Sequence, residues 1–267
     1  MIKSIHYFIH NFDDQDRLIV KLKEIFKDIQ WFYIRYWEGG PHLRIRFLDD
    51  GNIYEKILLD TISKHPIENK KIYSKKEYYE MITVRESYED QDNLLWYTPY
   101  SIEYIEYVPE LERYGGTIGM PISERIFNIS SNLASDIISK RSNLHQRLLL
   151  SLYFSYSILK TMDVNVNDFM GQYYSFWKTY ENGMNFKVNE KAIEQLKFAI
   201  KSLDSKKCYM EEINKVVTEL KIIKHLLNNK DYMLYILSSQ IHMHNNRLGI
   251  TADMEASYAK ILMSISR

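Results

Sequence analysis

The stretch "WFYIRYWEGGPHLRIRFL", residues 31–48, decides the fold. Two runs of aromatic and β-branched residues flank Gly39-Gly40, a dipeptide that supplies the positive φ angles of a tight hairpin. A two-residue turn there predicts Trp37 opposite His42, Arg35 opposite Arg44 and Tyr33 opposite Arg46. Tyr36 and Leu43, Ile34 and Ile45, and Phe32 and Phe47 then pair on an apolar face. The other face gathers Trp37, His42, Arg35, Arg44, Tyr33 and Arg46. Arg35 across from Arg44 is a like-charge pair, destabilising by a few tenths to about 1 kcal/mol. Two readings stay open. Either the face is solvated and its arginines pair with Glu103, Glu106, Glu110 or Glu112, or an anion lies between guanidinium forks that stay charged where Trp37 and Tyr33 exclude water.

Outward from the hairpin, residues 2–9 and two segments between 80 and 108 read as strands. "DQDRLIVKLKEIFKDI" and "NIYEKILLDTISKH" carry helical apolar spacing behind Asp or Asn starts. The order strand, helix, strand, strand, helix, strand predicts a ferredoxin-like antiparallel sheet with helices on one face. All five prolines and six of the nine glycines lie at or before Pro121, which marks a boundary. Beyond it the segments near 121–141, 144–162, 166–181, 188–204, 209–227, 230–247 and 251–265 have helical periodicity. The expected fold is α+β: an N-terminal sheet lobe, residues 1–120, followed by a helical C-terminal lobe, residues 121–267, the two sharing one active-site cleft.

Lys and Arg total 35 and Asp and Glu total 35, so no net field draws nucleic acid, an anionic membrane or an acidic partner. Any anion site must be local. Cys208 is the single cysteine, which excludes an internal disulfide framework and a cysteine-rich metal site; a reducing compartment, the cytoplasm, is expected. The N-terminus "MIKSIHYFIHNFDDQD" is broken by His6 and His10 and turns acidic at Asp13, unlike a signal peptide. No window reaches the roughly 18 apolar residues of a membrane span. Phosphate-loop, dinucleotide-binding, H-E-x-x-H and G-x-S-x-G patterns do not occur, so no cofactor is expected.

Two further segments offer chemistry. "YVPELERYGG", residues 107–116, turns at Pro109 and holds Arg113 just before Gly115-Gly116: an exposed turn residue, or a cation able to complete an anion clamp. Pro121 then reads as the first turn of a helix. In "SSQIHMHNNRLGI", residues 238–250, Leu234, Leu237, Ile241 and Leu248 form the helix's apolar stripe and Gly249 its stop. His242 flanks that stripe, either as a hydrogen-bonded packing residue or as a general acid or base. His242 and His244 lie about 200° apart round a helix and cannot chelate one ion, so no metal site is expected.

"WFYIRYWEGGPHLRIRF", "YVPELERYGG" with the downstream "MPISERIF", and "IHMHNNRLG" occur in the order and spacing of one family. In these segments the chain resembles the C-terminal, glutamate-elimination domain of class I lanthipeptide dehydratases, the thiopeptide-type bacteriocin biosynthesis domain, over nearly its whole length. The resemblance implies a lyase acting on a ribosomal precursor peptide whose Ser or Thr has been glutamylated from glutamyl-tRNA by a separate, larger protein. Loss of glutamate leaves dehydroalanine or dehydrobutyrine. It also implies a stand-alone half of a split dehydratase that needs that partner and makes no direct nucleic-acid contact. The aromatic-rich surface suits a partner or a homodimer equally.

Matched by motif, the elimination residues fall on Arg44, Arg46, Arg113 and His242. Arg35, His42, Tyr114, Asn246 and Arg247 are the expected substrate-binding set. The implied reaction is a β-elimination in which a base takes the Cα proton and charge builds on the adjacent carbonyl. The arginines hold that charge and the departing carboxylate, each preorganised donor typically contributing about 3–4 kcal/mol. The chain departs from the family's F-x-x-D-S in reading Phe127, Asn128, Ile129, Ser130, Ser131. Relatives of this fold instead condense two dehydroalanines into a pyridine; the intact arginine and histidine motifs favour elimination. A third reading is a precursor-binding scaffold without turnover.

Overall fold

The computed structural model describes residues 2–68, 72–81, 94–180 and 189–266. Strand β1 (Ile2–Tyr7) leads into helix α1 (Phe12–Ile25), whose N-terminus is capped by Asn11 accepting from the Asp13 and Asp14 backbone N–H groups. β2 (Trp31–Tyr36) and β3 (His42–Leu48) follow, then α2 (Ile53–Ser63), α3 (Lys75–Met81) and the short β4 (Ile102–Glu103). The antiparallel sheet has the order β2-β3-β1-β4, the ferredoxin-like arrangement expected from the element order. Of the two strands expected between 80 and 108 one is β4; residues 82–93 lie outside the described residues.

The C-terminal helices are α4 (Gly116–Ser139), α5 (Leu144–Thr161), α6 (Val166–Trp177), α7 (Glu190–Ser205), α8 (Met210–Leu227), α9 (Lys230–Leu248) and α10 (Glu255–Ser266). Asn143, Asn165, Asn189 and Asn229 cap four of them, and Asn143 with Gln146 forms a reciprocal capping box. α4 begins at Gly116, so Pro121 sits inside the helix rather than in its first turn; lacking an N–H, it leaves the Thr117 carbonyl without its helical donor. The class is α+β, as read from the sequence.

The hairpin departs from the expected register by one residue. Tyr36 pairs with His42, Arg35 with Leu43, Ile34 with Arg44, Tyr33 with Ile45 and Phe32 with Arg46. The cause is the connection: residues 37–41 form a five-residue loop, not a two-residue turn, and a one-residue slip inverts the faces of β2. Gly39 and Gly40 do adopt positive φ, but they dock another segment. Gly39 bridges to Trp96, its carbonyl accepts from Tyr97 N, and a Cβ on it would meet the Tyr97 ring at 2.8 Å.

Arg35 therefore never faces Arg44. It lies with Trp31 and Tyr33 on the core side, where its guanidinium donates to Gln15 Oε1 at 2.9 Å, to the Arg247 carbonyl at 3.3 Å and to Asp16. That side, with Ile5, Tyr7, Leu43, Ile45 and Phe47, is continuous with buried residues of α1 (Leu18, Leu22), α4 (Ile126, Leu133) and the later helices in one apolar cluster. Each such side chain contributes roughly 1.5–3 kcal/mol by leaving water.

β2 is an edge strand, and α4 and α9 seal it with side chains. Asn128 Oδ1 accepts from Trp31 N, Ser131 Oγ from Tyr33 N and Asn246 Oδ1 from Arg35 N; Arg247 Nε donates to the Tyr33 carbonyl and Asn246 Nδ2 to the Arg35 carbonyl. These groups stand where a fifth strand would hydrogen-bond.

Candidate active site

On the opposite face, β3 presents His42, Arg44 and Arg46 beside Phe32, Ile34 and Tyr36 of β2. His42 Nδ1 donates to the Gly40 carbonyl at 2.8 Å, which leaves Nε2 to accept from Arg44 Nε at 3.3 Å. Burial lowers the His42 pKa to about 3, so the ring is neutral, as this relay requires. The Arg44 guanidinium lies over the Tyr36 ring, 3.3 Å from its centroid. Arg46 packs over Tyr107 at 4.6 Å and Phe32 at 5.7 Å; burial lowers its pKa to about 10, and it is charged at neutral pH. Among the described residues no carboxylate forms an ion pair with Arg44 or Arg46.

Arg113 lies on a 3₁₀ turn, Leu111–Tyr114, closed by Gly115 at φ 94°. Its Nη1 pairs with Glu110 Oε2 at 3.1 Å and its Nε donates to Ser239 Oγ of α9 at 3.2 Å. Glu110 also acts electrostatically, without an ion pair, on Arg44 and Arg46, as Glu38 does on Arg44. Glu110 is thus the one acid of the four considered that engages this cluster by an ion pair, and it does so through Arg113.

His242 stands on α9 three residues beyond Ser239, about 60° short of a full turn round the axis. Its ring stacks on Trp177 of α6, with 4.4 Å between centroids, and its Nδ1 lies 2.9 Å from Glu255 Oε1. Glu255, fully buried at the start of α10, also accepts from Tyr173 OH at 2.6 Å and Asn245 Nδ2 at 2.8 Å through Oε2. Among the described residues His242 Nε2 has no partner, and no direct contact joins the ring to the arginines. With Glu255 accepting from Nδ1–H, the free Nε2 is a proton acceptor of fixed orientation.

Arg44, Arg46 and Arg113 come together, then, and Arg113 is tied to the helix that carries His242. Other members of the expected substrate set are engaged within the protein. Arg35, Asn246 and Arg247 secure β2 from its core side and its edge. Arg247 is 1% exposed and donates to the Tyr33 carbonyl, Ser131 Oγ and Ser130 Oγ, with no carboxylate partner among the described residues. Tyr114 is buried edge-on against Phe127, and His42 positions Arg44. Sequence reasoning missed Glu255 and Trp177. No i, i+4 spacing links either to His242; the reversal at Gly249 brings Glu255 back, and α6 supplies Trp177 from far along the chain.

The sequence profile of the lantibiotic biosynthesis dehydratase C-terminal family matches residues 4–265. The chain belongs to that family. The family is the C-terminal part of lantibiotic biosynthesis dehydratases. Among solved structures it is similar to the tRNA-dependent lantibiotic dehydratase MibB from Microbispora sp. 107891, at 16% identity and a TM-score of 0.58 over 99% of this chain; it spans 28% of that protein's length. It is also similar to TbtD, the pyridine synthase of thiomuracin biosynthesis, at 12% identity and a TM-score of 0.63, covering 99% of this chain and 97% of that one. TsrL is a third, at 15% identity and a TM-score of 0.60, with 99% and 94% covered. At these identities the likeness is one of fold. No curated protein matches the chain. Among the described residues no helix is long and apolar enough to cross a membrane.

Proposed function

We propose that the chain eliminates glutamate from glutamylated Ser or Thr of a ribosomally made precursor peptide, working with a separate tRNA-dependent glutamylating protein. The observation that carries the reading is the pair Arg44 and Arg46: two charged, largely desolvated guanidinium groups that form no ion pair with a carboxylate among the described residues, with Glu110, the partner of Arg113, acting on both. Such a cluster is suited to the oxygens of a departing carboxylate and to a developing enolate. His242 Nε2, oriented through Glu255, removes the Cα proton; the Cα–Cβ double bond forms as the Cβ–O bond breaks, and glutamate leaves with the electron pair.

The test supplies the purified chain with a glutamylated precursor peptide and follows mass loss equal to glutamic acid. Glutamylated peptide that persists in the presence of a competent partner rejects the proposal. The coverage of TbtD, near complete in both directions, favours a second reading: pyridine formation from two dehydroalanines. That activity would convert a peptide already carrying dehydroalanines into a macrocycle, whereas an eliminase leaves such a peptide unchanged.

A further inference from the structure

The face that carries the arginines extends onto β1 through two residues the reaction above does not use. Ser4 is the register partner of Arg46, and His6 the partner of Arg44. A hydroxyl, an imidazole and two guanidinium groups thus stand side by side, with the His6 ring stacked on His42 at 5.1 Å. His6 is 2% exposed, yet among the described residues neither ring nitrogen has a hydrogen-bond partner; buried Ser4 Oγ and Arg46 Nε have none either.

Buried polar groups are nearly always satisfied, so four unpartnered atoms on three adjacent residues mark a buried polar row that the described protein groups leave unsatisfied. The other face of β1, carrying Ile5 and Tyr7, shows that the strand can be filled with residues that pack. The character of the row fixes its ligand. Arg46 Nε–H is an obligate donor, the serine hydroxyl can donate, and a neutral histidine supplies one N–H. Among the described residues no acid forms an ion pair with the row: Glu103, register partner of His6 on β4, makes none, Glu110 pairs with Arg113, and Glu38 and Glu124 act on Arg44 and Arg46 only through space. Donors and cations without an acid suit a carboxylate.

We infer that Ser4 and His6 complete a carboxylate-binding row with Arg44 and Arg46, and that this row reads the side-chain carboxylate of the amino acid being removed. The inference rests on the elimination reading for the identity of its ligand. It makes β1 a determinant of specificity: an ester of glutamate is selected over one of glutamine because the amide adds a donor to a row of donors.

Glutarate, a dicarboxylate with no amino group, tests the row without turnover. Calorimetric titration of the full chain is expected to detect glutarate binding, weakened roughly tenfold in His6→Phe and in Ser4→Ala, the loss of one hydrogen bond to a charged group. His6→Gln, which retains a donor, is expected to recover most of it. With glutamylated peptide the same variants raise KM more than they lower kcat and narrow the preference for glutamyl over glutaminyl ester. Wild-type affinity for glutarate in both His6→Phe and Ser4→Ala, or no glutarate binding by the wild type, overturns the inference. Should glutarate bind in this pattern while wild type removes no glutamate, the elimination reading falls and the row stands; should elimination proceed with the variants indistinguishable from wild type, the row falls and that reading stands. Ser4→Ala, a small change at the same row, keeps the test decisive if His6→Phe fails to fold.

Discussion

Asn246 closes both backbone hydrogen-bonding positions of Arg35: its Oδ1 accepts from Arg35 N–H at 2.9 Å and its Nδ2 donates to the Arg35 carbonyl at 2.8 Å. A single side-chain amide does the work of a neighbouring strand. Asn246→Ala leaves two edge groups unpaired and is expected to lower stability by roughly 2–4 kcal/mol in urea unfolding. An unchanged midpoint would show that the edge is not held this way.

Arg46 sets stability against activity. It is charged, half-buried and, among the described residues, without an ion-pair partner, so Arg46→Met is expected to stabilise the fold by about 1 kcal/mol, since an apolar side chain enters that environment at little desolvation cost. The same change is expected to slow glutamate elimination by about 10²–10³. Thermal unfolding and peptide mass spectrometry on one variant decide the matter; a variant that is destabilised and fully active contradicts both halves.

His242 and Glu255 are expected to behave as a unit. Glu255→Gln removes the carboxylate that fixes the Nδ1–H tautomer, and a loss of about 10² in elimination rate is expected. If His242 acts only through that orientation, the double variant Glu255→Gln with His242→Gln is no slower than His242→Gln alone. Additive losses would separate the two residues.

Acid weakens the fold through its buried histidines. Desolvation lowers His6 to about 2, His42 and His244 to about 3, and His10 and His65 to about 4. In the unfolded chain each titrates near 6.5. Below that pH the unfolded chain takes up protons that the fold refuses, so stability is full above pH 6.5 and is lost as pH falls toward the folded values. Each histidine contributes up to ~1.4 kcal/mol per pH unit in that window. Urea midpoints at pH 8.5, 7.5 and 5.5 should be nearly flat between the first two and fall steeply to the third.

The helices of the C-terminal half were legible because each carries its own apolar period and several begin at an asparagine cap. The faces of β3 were legible too, since Leu43, Ile45 and Phe47 alternate with His42, Arg44 and Arg46. The register of β2 was not. It depends on whether two or five residues turn, and that is settled by Trp96 and Tyr97 packing on Gly39 and Gly40 from half a hundred residues away. Arg35 and Arg247 looked like substrate cations because sequence shows charge and not the Asp16, Gln15 and carbonyl groups that surround it. Ser4 and His6 did carry a signal, polar residues two apart on a strand, but its meaning required knowing that β1 lies beside β3.

The sealing of β2 by α9 also has a meaning in time. The amide that pairs with Arg35 arrives 211 residues later in the chain, and at translation rates of roughly 5–20 residues per second that is about 10–40 s during which the Arg35 end of the sheet edge, beyond the part α4 covers, stands open. The newborn N-terminal half is accordingly at its most adhesive before its own last third exists, and holding it apart from other chains through that interval is a task for the cell rather than for the sequence.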